Sequence, residues 1–138
     1  MSILLAEDNP VTRMIAKHML EFEGHEVQEA TNGRQAVELC RRYSFDLVLM
    51  DVDMPEMNGL DATRAIRAIG DHTLGLPVIG ITAYHASGEQ DRCLRAGMND
   101  ILDKPFRAEE LLAKLSCWSN GKTAAEESAA VKNNFRTV

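Results

Sequence analysis

The sequence predicts an α/β protein: an open, doubly wound sheet of five parallel strands with helices on both faces. Two observations predict it. Apolar runs and amphipathic runs alternate along the chain, giving five strands and five helices. The strand runs are also almost continuously apolar, the pattern of strands buried on both faces by covering helices. Right-handed crossovers then wind such a chain into an open sheet.

The elements follow in order. Ile3 to Ala6 is a short apolar strand. Asn9 can cap the helix that follows, and Pro10 suits its first turn. Val11, Met14, Ile15, His18, Met19 and Phe22 recur at helical spacing, and Gly24 ends the helix. Glu26 to Ala30 is a second, weaker strand. Gly33 to Tyr43 is helical, with Ala36, Val37, Cys40 and Tyr43 on one face. Phe45 to Met50 is the third strand, nearly all apolar. Leu60 to Ile69 is helical, with Leu60, Thr63 and Ile66 facing in. Leu76 to Ile81 is the fourth strand. Ala86 to Ala96 is a poorly amphipathic helix whose main apolar residues are Cys93 and Leu94. Ile101 and Leu102 mark a short fifth strand. Ala108 to Trp118 is the last helix, with Leu111, Leu112, Leu115 and Trp118 in register. The expected domain is 1–118; residues 119–138 shift to small and polar types, the composition of a tail or linker with some helix around 124–131.

Composition narrows the function. The chain has 138 residues, 45% of them hydrophobic, enough for one domain with a proper core. Its net charge of −6 leaves no basic footprint for direct nucleic-acid binding. Cys40, Cys93 and Cys117 show no metal-ligand spacing and are expected to be buried or half-buried thiols in a reducing compartment. His18, His25, His72 and His85 are scattered and suggest no metal site; only His85 falls near a strand end that matters. The opening MSILLAEDNP lacks a basic n-region, and no segment approaches the roughly 20 apolar residues of a membrane span. A cytoplasmic protein without membrane contact is expected.

In open α/β sheets ligands bind beyond the carboxyl ends of the strands. Strand one ends in Glu7-Asp8, strand three in Asp51, strand four in Thr82-Ala83, and strand five in Asp103-Lys104-Pro105. Strand two ends in the plainer Ala30-Thr31-Asn32. Taken singly, an acidic pair before a helix is a cap, a threonine a turn residue and a lysine a solvated cation. Together they are a constellation. Glu7, Asp8 and Asp51 in one crevice repel each other and raise their pKa values unless a cation compensates. Hard oxygen ligands suit Mg²⁺. A divalent cation, the Lys104 ammonium and the Thr82 hydroxyl would cradle a phosphoryl group, and an aspartate inside that cradle is a candidate nucleophile giving an aspartyl phosphate.

At this point the sequence resembles the receiver domain of two-component response regulators, from Ile3 to Trp118. The motifs are Glu7-Asp8, Asp51-x-x-Met54-Pro55-x-x-x-Gly59, Thr82-Ala83 and Lys104-Pro105, in the family's order. LLAEDNPVTRMIA and GMNDILDKPF look most like receivers of phosphorelays and hybrid sensor kinases. The resemblance implies a flavodoxin-like sheet in the order 2-1-3-4-5. It also implies that Asp51 takes a phosphoryl group from a phosphohistidine on a histidine kinase or histidine phosphotransfer protein. Asp8 and Asp51 would bind Mg²⁺ (or Mn²⁺) through side chains, Asp53 through its main-chain carbonyl and Glu7 through water. Thr82 and Lys104 would contact the phosphoryl group, Pro105 would follow a cis peptide, and the Asp53 side chain would tune phosphoryl lifetime. Catalysis would extend only to the domain's own phosphorylation and slow dephosphorylation. Phosphorylation would shift a two-state equilibrium of the helix at 86–96, the fifth strand and the last helix.

One position departs from the family. Three residues before the lysine, where an aromatic is usual, stands Ile101, which has no ring to swing and no hydroxyl. Output would then rest on the loop after Thr82, with Ala83, Tyr84 and His85, or on partner contacts. Val11, Arg13 and Met14 form the candidate docking face for a four-helix phosphodonor. Two rivals accompany this reading. Asp51-x-Asp53 after an apolar strand also resembles the start of haloacid-dehalogenase-like phosphatases, but it sits on the third strand, with the acidic pair first in the chain. The other rival is a phosphorylation-independent interaction module on the same fold.

Overall fold

The computed structural model describes residues 1–83 and 88–119. The chain divides into two compact units, Met1–Pro105 and Phe106–Val138. The first carries the whole sheet. Its strands are β1 (Ser2–Ala6), β2 (Glu26–Ala30), β3 (Leu47–Asp51), β4 (Val78–Thr82) and β5 (Asp100–Asp103). All are parallel and ordered β2-β1-β3-β4-β5, the expected doubly wound topology. The helices of this unit are α1 (Pro10–Phe22), α2 (Gly33–Arg42), α3 (Gly59–Arg67), α4 (Asp71–Leu74) and α5 (Glu89–Ala96).

Side chains alternate across the sheet, as the strand period of two requires. Leu4, Ala6, Val48, Met50 and Val78 form one buried cluster with Ala36, Val37 and Cys40 of α2, Leu60, Ala62 and Ile66 of α3, and Cys93 and Ala96 of α5. The alternate strand residues Ile3, Leu5, Leu47, Leu49, Ile79 and Ile81 are equally buried, and α1 buries Ala16 and Leu20. Central strands buried on both faces explain why their sequences show no polar alternation.

Local signals start the helices. Asn9 caps α1, its Oδ1 accepting from the Val11 and Thr12 N–H groups at 2.9 and 3.1 Å, with Pro10 in the first turn. Asn32 and Asn58 cap α2 and α3 in the same way. Pro77 has no N–H to give a ladder, and β4 begins one residue later, at Val78.

Four expectations need correcting. The apolar stripe of α1 is not its buried face: Val11, Met14, Ile15 and Phe22 are 59%, 54%, 46% and 88% exposed, while Ala16 and Leu20 are buried. Helical spacing finds a stripe but cannot say which stripe meets the sheet. In α5, Cys93 is buried but Leu94 is exposed, because Glu89, Cys93 and Ala96 form the inward row. Tyr43 at the end of α2 is exposed as well. The one-turn α4 is an element that apolar spacing does not mark; the Arg67 guanidinium holds it by donating to the Thr73 and Leu76 carbonyls at 2.6 Å, and to Gly97 O at 2.7 Å.

The second unit contributes α6 (Ala108–Ser119), where Leu111 and Leu115, one turn apart, are buried. Cys117 on this helix is exposed, unlike the buried Cys40 and Cys93. The expected tail at 120–138 lies outside the described residues. No helix among the described residues is long and apolar enough to cross a membrane.

Candidate functional site

Parallel pairing brings the strand ends level. Ala6 pairs with Met50, Asp51 with Ile81, and Thr82 with Asp103. The residues just past these pairs must therefore share one edge. Glu7 and Asp51 are buried there and Asp8 is exposed. One carboxylate oxygen from each of the three lies within 4.8 Å of the others. Lys104 completes the group: its Nζ is 2.8 Å from Glu7 Oε1 and 3.1 Å from Asp51 Oδ2.

The turn after β1 is held by β2 and by the Glu7 side chain. Glu7 N–H donates to Ala30 O at 3.0 Å, and the Asn9 N–H donates to Glu7 Oε2 at 3.0 Å. The turn after β3 is held as closely. The Asp53 N–H donates to Asp51 Oδ1 at 3.2 Å, and the Gly59 N–H to Val52 O at 2.9 Å. Gly59 must be glycine, since a Cβ there would lie 2.1 Å from the Asp51 carbonyl oxygen. After β4, Thr82 is buried and its carbonyl accepts from the Lys104 N–H at 2.8 Å. The Lys104–Pro105 peptide is cis.

Electrostatics single out Asp51. Burial, the hydrogen bond it shares with Glu7 and the Glu7 charge together push its carboxyl up to about 7, with Lys104 opposing. For Lys104, burial works against the charge, but close contact with Glu7 and the charge of Asp51 outweigh it and hold the ammonium above the usual lysine range. One ammonium thus faces two buried carboxylates, with a third beside them. Glu7 Oε1 is buried and paired by charge alone, without an aligned hydrogen bond. An all-oxygen donor set with surplus negative charge and an under-satisfied buried oxygen fits a hard divalent cation.

The structure brings Glu7, Asp8, Asp51 and Lys104 together. Thr82 ends the adjoining strand, and exposed Ala83 follows it. Asp53 is exposed and is not one of the three clustered acids. Ile101 is half-buried, opposite Gly80 in the sheet, and packs against the core. Tyr84 and His85 lie outside the described residues.

Two contributions were not legible beforehand. The plain end of strand two buttresses the Asp51 turn: Asn32 Nδ2 donates to Glu56 Oε2 at 2.7 Å and the Gly33 N–H to Met57 O at 3.1 Å, where Glu56 adopts φ 64°. The signal was available in Asn32-Gly33, an amide with a spare donor beside a residue that allows close backbone approach. Arg13 is the second: it turns inward, with its side chain 19% exposed, and donates to the Glu7 and Asp8 carbonyls at 2.8 and 3.4 Å. It is therefore not free for the docking face expected of it.

Residues 3–116 match the response regulator receiver domain family. The chain belongs to that family. Among curated relatives, the sensor protein EvgS of Escherichia coli K12 is 38% identical over 116 residues, 84% of this chain and 9% of EvgS. The chain thus spans about a tenth of the length of such relatives. Among solved structures, the receiver domain of sensor histidine kinase PA1611 from Pseudomonas aeruginosa PAO1 is 42% identical with a TM-score of 0.79, covering 85% of this chain and 95% of that one. That structure has a magnesium ion coordinated in its active site cleft. The Vibrio cholerae chemotaxis protein CheY4 is 29% identical with a TM-score of 0.79, over 83% of this chain and 95% of its own. The match is to a receiver domain and not to a haloacid-dehalogenase-like phosphatase, and the similar curated proteins are hybrid-type sensor kinases.

Proposed function

We propose that Asp51 is the phosphoacceptor of this receiver domain, taking a phosphoryl group from a phosphohistidine of a histidine kinase or histidine phosphotransfer protein. The observation that supports it is the convergence of Lys104 on Asp51 and Glu7, with Asp8 beside them. In the transfer an Asp51 carboxylate oxygen forms the new P–O bond as the histidine P–N bond breaks, and the imidazole leaves as the neutral ring, keeping the proton already on its other nitrogen. Lys104 holds Asp51 Oδ2 and the Asp53 N–H holds Oδ1, so the nucleophile is fixed before the donor arrives. Lys104 then neutralises charge on the phosphoryl oxygens, and the buried Thr82 at the end of β4 supplies a hydroxyl donor.

Glu7, Asp8 and Asp51 are the residues that would hold Mg²⁺, with Mn²⁺ as a substitute, and the Asp53 main-chain carbonyl would complete the set. When bound, the ion would supply positive charge to the phosphoryl oxygens and would offset the burial and the Glu7 charge that raise the Asp51 carboxyl. The Asp53 side chain, exposed past the turn, tunes the lifetime of the phosphoryl group. The domain catalyses only its own phosphorylation and slow loss of the phosphoryl group. Its bounds are 1–118, and a cytoplasmic setting follows from the proposed partners. Ile101, with neither ring nor hydroxyl, leaves switching to Ala83 and the loop that follows, or to the partner.

Exposed Val11, Met14 and Ile15 on α1 support a docking face for a helical phosphodonor beside the acidic turn. Incubation with acetyl phosphate and Mg²⁺ is expected to add the mass of one phosphoryl group, lost in Asp51→Asn and with EDTA but kept in Asp53→Asn with altered lifetime. Retention of the label in Asp51→Asn would overturn the assignment. Met14→Glu is expected to slow labelling from a phosphohistidine donor while leaving acetyl phosphate labelling intact.

A further inference from the structure

Arg13 is the fourth residue of α1, where a cation opposes the positive end of the helix dipole. Its place there calls for a compensating interaction, and the structure provides one. Past Ala6 the β1 chain leaves the sheet, and the carbonyls of Glu7 and Asp8 extend beyond the strand ladder. Arg13 Nη1 donates to both. On its other edge Nε donates to Glu29 Oε1 at 3.1 Å, and the second oxygen of Glu29 receives Lys17 Nζ at 3.2 Å. Glu29 is the penultimate residue of β2, and Arg13 and Lys17 lie one turn apart on α1. The guanidinium is therefore fixed from two sides: by the anchored Glu29 carboxylate and by the backbone of the acidic turn.

We propose that Arg13, oriented by Glu29, is a positioning residue that sets the Glu7–Asp8 turn for divalent cation binding. This rests on the reading that Glu7, Asp8 and Asp51 hold such a cation. The role belongs to a planar fork. A guanidinium offers several donors in fixed directions and can hold a carboxylate and two carbonyls at once, whereas an ammonium is a point charge on a flexible stem.

Charge and geometry predict opposite signs, and this makes the proposal testable. Removing a cation near a cation site strengthens metal binding if charge alone matters. It weakens binding if Arg13 shapes the site. The measurement is Mn²⁺ affinity of the full chain by electron paramagnetic resonance, with Mg²⁺ competition, alongside thermal unfolding in EDTA. Arg13→Met is expected to weaken Mn²⁺ binding about 10-fold, the usual scale for outer-shell partners of a metal site. Arg13→Lys conserves charge and helix propensity, so it serves as the fold-safe variant, and it is expected to weaken binding at least about 3-fold on the same scale. Wild-type or tighter affinity in Arg13→Met, or full affinity in Arg13→Lys, overturns the proposal while leaving the cation site standing. Absence of Mn²⁺ binding by the wild-type chain, with Asp8→Asn no different, overturns the cation site and the role of Arg13 with it.

Discussion

Neutralising Asp51 should stabilise the metal-free protein at neutral and alkaline pH. Its carboxyl is pushed from 3.8 to about 7, mainly by burial and by Glu7. The native state therefore keeps a proton that the unfolded chain releases near pH 4. Between these values the native state binds more protons, so this group's contribution to stability falls as pH rises from about 4 to 7 and levels off above. Raising the carboxyl from 3.8 to about 7, at about 1.4 kcal/mol per tenfold change in proton affinity, sets a ceiling near 4 kcal/mol. Asp51→Asn also gives up a charged contact with Lys104 at 3.1 Å, so the expected gain is about 2 kcal/mol at pH 8, using the scale of charged hydrogen bonds. Urea unfolding in EDTA at pH 5, 6, 7 and 8 reads it directly, with equal slopes in both proteins confirming a common unfolded state. The stability difference should grow with pH and flatten above 7. Mg²⁺ at 100 times its dissociation constant should then add about 2.7 kcal/mol to the wild type and little to the variant, offsetting or reversing the order. A difference that stays flat from pH 5 to 8, or a variant less stable at pH 8, would refute the account of Asp51 as a strained buried acid.

Three further outcomes follow from packing. Gly59→Ala drives a Cβ into the Asp51 carbonyl at 2.1 Å, whereas Gly80→Ala meets the flexible Met98 thioether at 2.5 Å. The first should cost about 3 kcal/mol and slow acetyl phosphate labelling, the second about 1 kcal/mol with labelling retained, as read from urea midpoints and mass spectra. Leu20→Ala on the buried row of α1 should cost about 3 kcal/mol, while Phe22→Ala, 88% exposed, should stay within about 0.5 kcal/mol. Equal losses would mean the helix is rotated from the orientation described. A disulfide reagent at pH 8 should titrate Cys117 first; Cys40, whose thiol burial pushes up to about 12, and Cys93, raised by burial and by Glu89, should react only on unfolding.

The sequence by itself determined the parallel, doubly covered sheet and the edge where the chemistry lies, while the strand order came only with the family resemblance. Both depend on short-range patterns: continuous apolar runs that must be buried on both faces, and polar residues at their carboxyl ends that parallel pairing must bring level. It also named Asp51, Lys104, Asp8, Glu7 and Thr82, because acids, a hydroxyl and a lysine at successive strand ends are chemically legible without coordinates. Only the tertiary structure decided which stripe of α1 is buried, since Val11, Met14, Ile15 and Phe22 satisfy helical spacing as well as Ala16 and Leu20 do. Residue size was misleading there: close packing against the sheet takes the small Ala16 in preference to the larger exposed residues. The structure alone also showed the second layer of the site, in which Arg13 reaches back to the Glu7–Asp8 turn and Asn32 reaches across to Glu56. Those contacts join residues whose individual patterns are ordinary. A strand-end acid declares itself by where it stands in the sequence, but a side chain that positions it becomes visible only through the distance and direction of its hydrogen bonds.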